Sequence, residues 1–396
     1  MKLVYIAPFA FSPKATVSAR MLPMAEALAN RGHQVTILVP PYDYPTDSGK
    51  CYQVGQVTIE NLNVDTHTSQ FFNYMKLGWK LAARAKQLGA DAIHVFKPIG
   101  PSGIALWQLH SSGERPILDT DDWEGRGGWA DVNPYPPLMK LAIEQQERWG
   151  IRHARAVTCA SQVLVERSHG FGQLQKSIHL MPNGPAASLR SSVDQAISRR
   201  QELRRRFGWL KHQVVIYAGT VPLNSDLDIA VKAMIALRTR DIDYRWVVIA
   251  TGDGLSELKR TISRAGLDDF TEYHGFMPHE QLVERLVAAD IGVYPYRDTN
   301  INRAKCSGKV VDYMACGLPV VVSDVGMNAV YVEHERSGYL TEPGNADAFG
   351  AALLKLMSHP DFSRQMGLAA QRRIWENFSW ETRVGELETI YTAASP

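Results

Sequence analysis

Short apolar runs rich in Val, Ile and Leu alternate with longer stretches of helical periodicity along the whole chain. In the first half the runs fall at residues 2–7, 34–39, 92–95, 116–119 and 156–160. Each is followed by a helical stretch or a Gly/Pro-rich break. An unbroken apolar run suits a strand with no solvent face, so the rhythm predicts parallel strands covered on both sides by helices. The first helix is predicted over residues 18–30. It stops at Arg31-Gly32-His33, with glycine in the usual place beyond a helix end. The rhythm restarts with runs at 214–218, 246–251, 291–294 and 319–323. Between the halves lies Met181-Pro182-Asn183-Gly184-Pro185, a cluster of turn-formers suited to a linker. The pattern predicts an α/β fold of two Rossmann-like, doubly wound domains, residues 1–184 and 185–376, facing each other across a cleft. Ligands of open α/β sheets bind where the carboxyl ends of the strands converge.

Length agrees with two cores, since 396 residues exceed one ordinary domain. A hydrophobic fraction of 45% and a charged fraction of 21% describe a globular enzyme-sized chain. The 43 basic and 41 acidic residues leave a formal +2, which gives no electrostatic reason to expect nucleic acid. No apolar run approaches the roughly 18–20 residues of a membrane-spanning helix. The opening MKLVYIAPFAF reads as a buried strand rather than a leader, because no small-residue cleavage site precedes Pro13 and Lys14. Cys51, Cys159, Cys306 and Cys316 show no CxxC spacing, which predicts reduced thiols and a cytoplasmic location, at most at the inner face of a membrane. The basic stretch 194–211 reads as a solvated surface helix.

Three segments carry chemistry. In the segment 305–322, Ser307 and Gly308 stand where a helix should begin, and its N–H groups and dipole favour a phosphate. Lys309 adds a positive charge in the same turn, and Asp312 follows one turn later, where a carboxylate can accept ribose hydroxyls. An exposed Lys309–Asp312 helix pair without a ligand is equally consistent with the spacing. The second segment, residues 119–129, follows a strand and holds Asp119, Asp121, Asp122, Trp123, Glu124, Arg126 and Trp129 beside a glycine-rich turn. Carboxylates accept hydrogen bonds from hydroxyls and indole faces cover sugar rings, so the loop reads as an acceptor site with Asp121, Asp122 and Glu124 in the reacting role. Asp119-x-Asp121 also admits a metal reading. Third, Lys14, Thr16 and Arg20 follow the first strand, Arg20 as a cleft cation or a helix-surface charge. The helix over 74–86 mixes aromatic and basic residues, which suits packing on its own domain or peripheral association with an anionic membrane.

The segment Asp312-Tyr313-Met314-Ala315-Cys316-Gly317-Leu318-Pro319-Val320-Val321 resembles the nucleotide-sugar signature of glycosyltransferase family 4, whose members have the GT-B fold. Weaker matches occur in order: Gly32-His33-Gln34-Val35, Pro182-Asn183-Gly184, Tyr217-Ala218-Gly219, Gly252-Asp253-Gly254, His274-Gly275-Phe276 and Phe378-Ser379-Trp380. The resemblance implies transfer of a sugar from a nucleotide-diphosphate sugar to an unknown acceptor, with retention and without a metal or other cofactor. It implies a donor side formed by Gly219, Thr220, Gly252, Arg303, Lys305, Ser307, Gly308, Lys309 and Asp312. It also implies that residues 377–396 form a helix crossing back to the first domain. The chain departs from the family at Ala304, where a glutamate is usual, and at Thr220 and Ser225, where an arginine and a lysine address the diphosphate. Arg303, Lys305 and Lys309 are the substitutes at hand. A nucleotide-sugar epimerase of related architecture and a non-catalytic nucleotide- or glycan-binding protein are the alternatives.

Overall fold

The computed structural model describes residues 1–11, 16–65, 70–223, 225–240 and 242–393. Lys14 lies outside the described residues. The chain divides into two compact units. The first comprises Met1–Ala186, Arg303–Cys306 and Trp380–Pro396, and the second Ala187–Asn302 and Ser307–Ser379.

The first unit is built on an eight-stranded sheet of order β3-β4-β2-β1-β5-β6-β7-β8. Its strands are β1 (Lys2–Ile6), β2 (Gln34–Val39), β3 (Cys51–Val54), β4 (Val57–Asn61), β5 (Ala92–Phe96), β6 (Ile117–Thr120), β7 (Val157–Cys159) and β8 (Ile178–Leu180). All neighbours are parallel except the β3–β4 hairpin at the edge. Successive strand residues point to opposite faces. Leu3 and Tyr5 therefore join Val35 and Ile37 in one apolar cluster, completed by the helices Leu22–Ala29 and Trp380–Thr392. The helices Gln70–Gln87 and Gly100–Ser111 pack together and against strands of the same sheet.

The C-terminal helix thus belongs to the first core, as the family resemblance implies. Trp380, Val384, Leu387, Ile390 and Tyr391 are all buried there. Truncating a buried tryptophan of this kind costs about 3–5 kcal/mol. The helix predicted over 18–30 begins with a wide turn, Val17–Met21, and continues as Leu22–Ala29. Gly32 then takes a φ of +89°, which terminates it as the sequence suggested.

The second unit holds a parallel six-stranded sheet of order β11-β10-β9-β12-β13-β14. The strands are β9 (Gln213–Thr220), β10 (Tyr244–Thr251), β11 (Thr271–His274), β12 (Ile291–Tyr294), β13 (Val320–Ser323) and β14 (Gly338–Thr341). Val215, Trp246 and Val248 pack with the helices Asp228–Arg238 and Ala346–Ser358. The basic stretch 194–211 differs from its predicted solvated role. Arg204 is buried and donates to the carbonyls of Ala288, Trp209 and His212, and Arg200 donates to those of Val287 and Ala289. Both also pair with Asp290, at 2.7 and 2.9 Å. These cations close the carboxyl end of the helix His279–Ala288, where the carbonyls lack intrahelical partners.

Candidate functional site

In the second unit the signature folds as a loop, a helix and a strand. Ser307 caps the helix Gly308–Ala315 by accepting a hydrogen bond from the Val310 amide at 3.4 Å. Tyr313 ties this helix to β9, because its hydroxyl accepts from the Ala218 amide at 2.6 Å and donates to the Ala218 carbonyl at 3.2 Å. Gly317, at φ +77°, ends the helix before β13. The Lys309 ammonium lies 3.2 Å from Asp312, so the helix pair allowed by the spacing forms. The Asp312 carboxylate holds Lys309 above the usual lysine range.

Gly219 and Thr220 end β9. A side chain at Gly219 would press on the hydroxyl of Tyr217 at 3.1 Å. Gly252, at φ +116°, has the Val221 carbonyl 2.5 Å from where a Cβ would stand, so only glycine fits. Tyr217 stacks on Tyr294 at 5.5 Å, and Tyr296 meets Tyr294 edge-on at 5.0 Å. Sequence reasoning missed this tyrosine group, whose members are scattered over 80 positions.

Arg303 and Lys305 fall in the first unit. The Lys305 ammonium sits over the Trp129 ring at 5.8 Å. Gly219, Thr220, Gly252, Ser307, Gly308, Lys309 and Asp312 belong to the second unit.

The loop after β6 is held from below. The buried Glu147 accepts from the amides of Glu124 and Gly125, both at 3.1 Å, and Glu144 accepts from the Arg126 amide at 2.6 Å. Arg167 pairs with Glu147 at 2.5 Å and lies over the Trp123 ring at 4.2 Å. The Trp123 indole donates to the Arg126 carbonyl at 2.7 Å. Trp123 and Trp129 are half-buried and Arg126 is exposed.

Asp121, Asp122 and Glu124 bring carboxylate oxygens within 4.8 Å of one another. The buried Lys97 reaches all three, at 3.0, 2.6 and 2.6 Å. Burial pushes the Glu124 carboxyl up to about 7 against the opposing pull of Lys97. Burial alone would lower Lys97, but the three carboxylates outweigh it and hold the ammonium well above its usual range. Sequence reasoning missed Lys97, which stands 24 to 27 positions from its partners.

Asp119 is unavailable to a ligand. It is fully buried, accepts from Arg20 at 2.8 and 2.6 Å, and accepts from the Thr158 hydroxyl at 2.5 Å. The metal reading of Asp119-x-Asp121 loses one of its two carboxylates. Arg20 is likewise neither a cleft cation nor a surface charge. Its remaining reach goes to the Asn183 side chain at 2.8 Å, and Asn183 in turn donates to the Cys306 carbonyl at 2.7 Å. Thr16 donates to Asp121 at 3.3 Å.

Residues 199–373 match the family described as glycosyl transferases group 1, and residues 16–184 match the glycosyl transferase 4-like domain. The chain is 22% identical over 379 residues to N-acetyl-alpha-D-glucosaminyl L-malate synthase of Bacillus anthracis, covering 93% of this chain and 91% of that protein. Among solved structures, sucrose-phosphate synthase from Thermosynechococcus elongatus superposes with a TM-score of 0.78 at 18% identity, over 99% and 98% of the two chains. Anabaena HepE in complex with UDP-glucose gives 0.70 at 16% identity, over 98% and 99%.

Proposed function

Because the chain belongs to the family-4 type of glycosyltransferases built on the GT-B fold, we propose that it moves a sugar from a nucleotide-diphosphate sugar to a hydroxylated acceptor with retention. The observation that carries this reading is the start of the helix Gly308–Ala315. There a serine cap, a lysine in the first turn and an aspartate one turn on stand beside β9. The helix N-terminus and Lys309 suit a diphosphate, whose negative charge grows as the sugar leaves. Asp312 suits the vicinal hydroxyls of the ribose. The acceptor falls to the loop of the first unit, where Trp123, Arg126 and Trp129 offer ring faces and a cation. Asp121, Asp122 and Glu124 supply the carboxylates, with Asp122 the most open of the three. Catalysis is then positioning plus stabilisation of the departing diphosphate. That HepE was solved with UDP-glucose supports a nucleotide sugar as the donor class.

The reading extends to an anionic membrane surface as the place of work. No helix of the described residues is long and apolar enough to cross a membrane. The helix Gln70–Gln87 contains Lys76, Lys80, Arg84 and Lys86 and no acidic residue. It exposes 48% of Trp79.

A panel of nucleotide sugars tested by thermal unfolding decides the donor question without knowledge of the acceptor, since a specific ligand stabilises by mass action. One donor family should raise the transition in a saturable way. No response from any of them would end the proposal. With an acceptor in hand, the anomeric configuration of the product by NMR tests retention.

A further inference from the structure

Lys97 directly follows β5, and its backbone takes a φ of +59°, in the left-handed region that lysine rarely adopts. Both sides of the residue are pinned. Its amide donates to the Asp119 carbonyl at 3.0 Å, and its own carbonyl accepts the Ser102 hydroxyl at 2.6 Å. Such strain persists only where the surroundings over-determine it. The side chain is 7% exposed, and its ammonium donates to Asp122 and Glu124, both at 2.6 Å, while Asp121 stands 3.0 Å away as an ion-pair partner. The carboxylate oxygens, all within 4.8 Å of one another, are spaced as oxygen ligands of a divalent ion can be.

We propose that Lys97 is a built-in counter-cation, standing where a divalent ion would stand and gathering Asp121, Asp122 and Glu124 into one array. It is thereby the positioning residue of the acceptor side. Only this second statement rests on the function proposed above. With Lys97, the array carries a net charge of −1 while Glu124 holds its proton and −2 once pH has risen past about 7. Without it, three carboxylates repel one another in a nearly dry site, and the array has to take up protons, spread apart or recruit a cation.

The test uses the full chain as parent, Lys97→Met and Lys97→Arg, with calcium chloride titrated into thermal unfolding at constant ionic strength. Lys97→Met keeps most of the apolar stem and removes the charge. Its transition should rise saturably with calcium, at a half-maximal concentration at least tenfold below any effect on the parent or on Lys97→Arg. Equal responses in parent and Lys97→Met, or none in either, would overturn the proposal. If Lys97→Met does not fold alone, recovery of a cooperative transition on refolding with calcium supports it. Failure to recover at any calcium concentration, while Lys97→Arg folds, refutes it. No donor is needed, so failure of the glycosyl-transfer reading leaves this experiment intact. For the positioning role, the acceptor KM should rise at least tenfold in Lys97→Met with the donor KM unchanged, and Lys97→Arg should recover part of it. An unchanged acceptor KM would remove that role.

Discussion

Arg20 closes on Asp119 through two hydrogen bonds, of 2.8 and 2.6 Å, with side chains only 2% and 1% exposed. The pair begins a buried polar chain. Thr158 bridges Asp119 to His94, at 2.5 and 3.1 Å, and His94 meets the Tyr391 hydroxyl at 2.9 Å, which reaches Tyr5 at 2.8 Å. Burial keeps His94 well below its usual range, so the neutral ring carries one donor and one acceptor along the chain. The first helical turns, the sheet and the C-terminal helix are thus joined by groups that satisfy one another.

Removing one partner of this pair should cost more than removing both. Arg20→Met leaves a buried carboxylate without its cation, a loss of about 3–5 kcal/mol for such pairs. The double variant Arg20→Met/Asp119→Leu should recover a large part of that loss. Urea unfolding of the two singles and the double gives the comparison. An Arg20→Met variant within about 1 kcal/mol of the parent would contradict the buried-pair account.

This pair also shows where sequence reading stops. The parallel strands were legible because an apolar run buried on both faces is a local signal, as was the Ser307 cap, which needs only its next three residues. The β3–β4 hairpin was not, since Cys51–Val54 and Val57–Asn61 alternate in burial and do not form runs. The short strands β8, β11 and β14 were missed because polar residues or glycine interrupt them, whereas β7 and β12, equally short, are apolar enough to stand out. Arg20 and Lys97 escaped for a different reason. A lone cation on a helix or at a strand end looks like a surface charge until a carboxylate 99 or 25 positions away is seen beside it.

Glu124 should make stability fall as pH rises through neutrality. Its folded-state value, about 7, lies above the ordinary 4.5, so the folded chain holds the extra proton between those limits. The resulting stabilisation is full below about pH 4.5 and is lost as pH climbs through 7. Glu124→Gln removes the titration. Relative to the parent it should gain stability between pH 5 and 8, by at most about 3 kcal/mol. Parallel melting curves for parent and variant across this range would refute the shift.

Asp312 should bind the nucleotide through its carboxylate. Asp312→Asn keeps the shape and removes the charge, and the affinity for nucleoside diphosphate should fall by about 1.5–3 kcal/mol. The Lys309–Asp312 pair at 3.2 Å complicates the sign. If Asp312 serves only to anchor Lys309, freeing that ammonium should improve diphosphate binding. Calorimetry with a nucleoside and with its diphosphate separates the two cases. Weakening of both assigns Asp312 to the ribose, whereas tighter binding of the diphosphate alone assigns it to the lysine.

Lys309 should compensate for the cations missing at Thr220 and Ser225. It stands in the first turn of the helix capped by Ser307, where the dipole already favours an anion. Thr220 is exposed at the end of β9, and the Ser225 hydroxyl is occupied as acceptor for the Leu227 amide at 3.2 Å. Neither offers a charge. Lys309→Met keeps most of the stem packing, so the fold should survive. Turnover should fall by tenfold or more, and donor affinity by less, because charge on the diphosphate develops as the sugar departs. The loss of Lys309 also leaves Asp312 without its partner, which adds repulsion toward the phosphates. Lys309→Met/Asp312→Asn separates that contribution from the missing cation. Installing Thr220→Arg in the Lys309→Met background should restore part of the turnover if both positions address the same phosphates. Unchanged turnover in Lys309→Met, or a bound nucleoside diphosphate with the Lys309 ammonium still directed at Asp312, would refute the assignment.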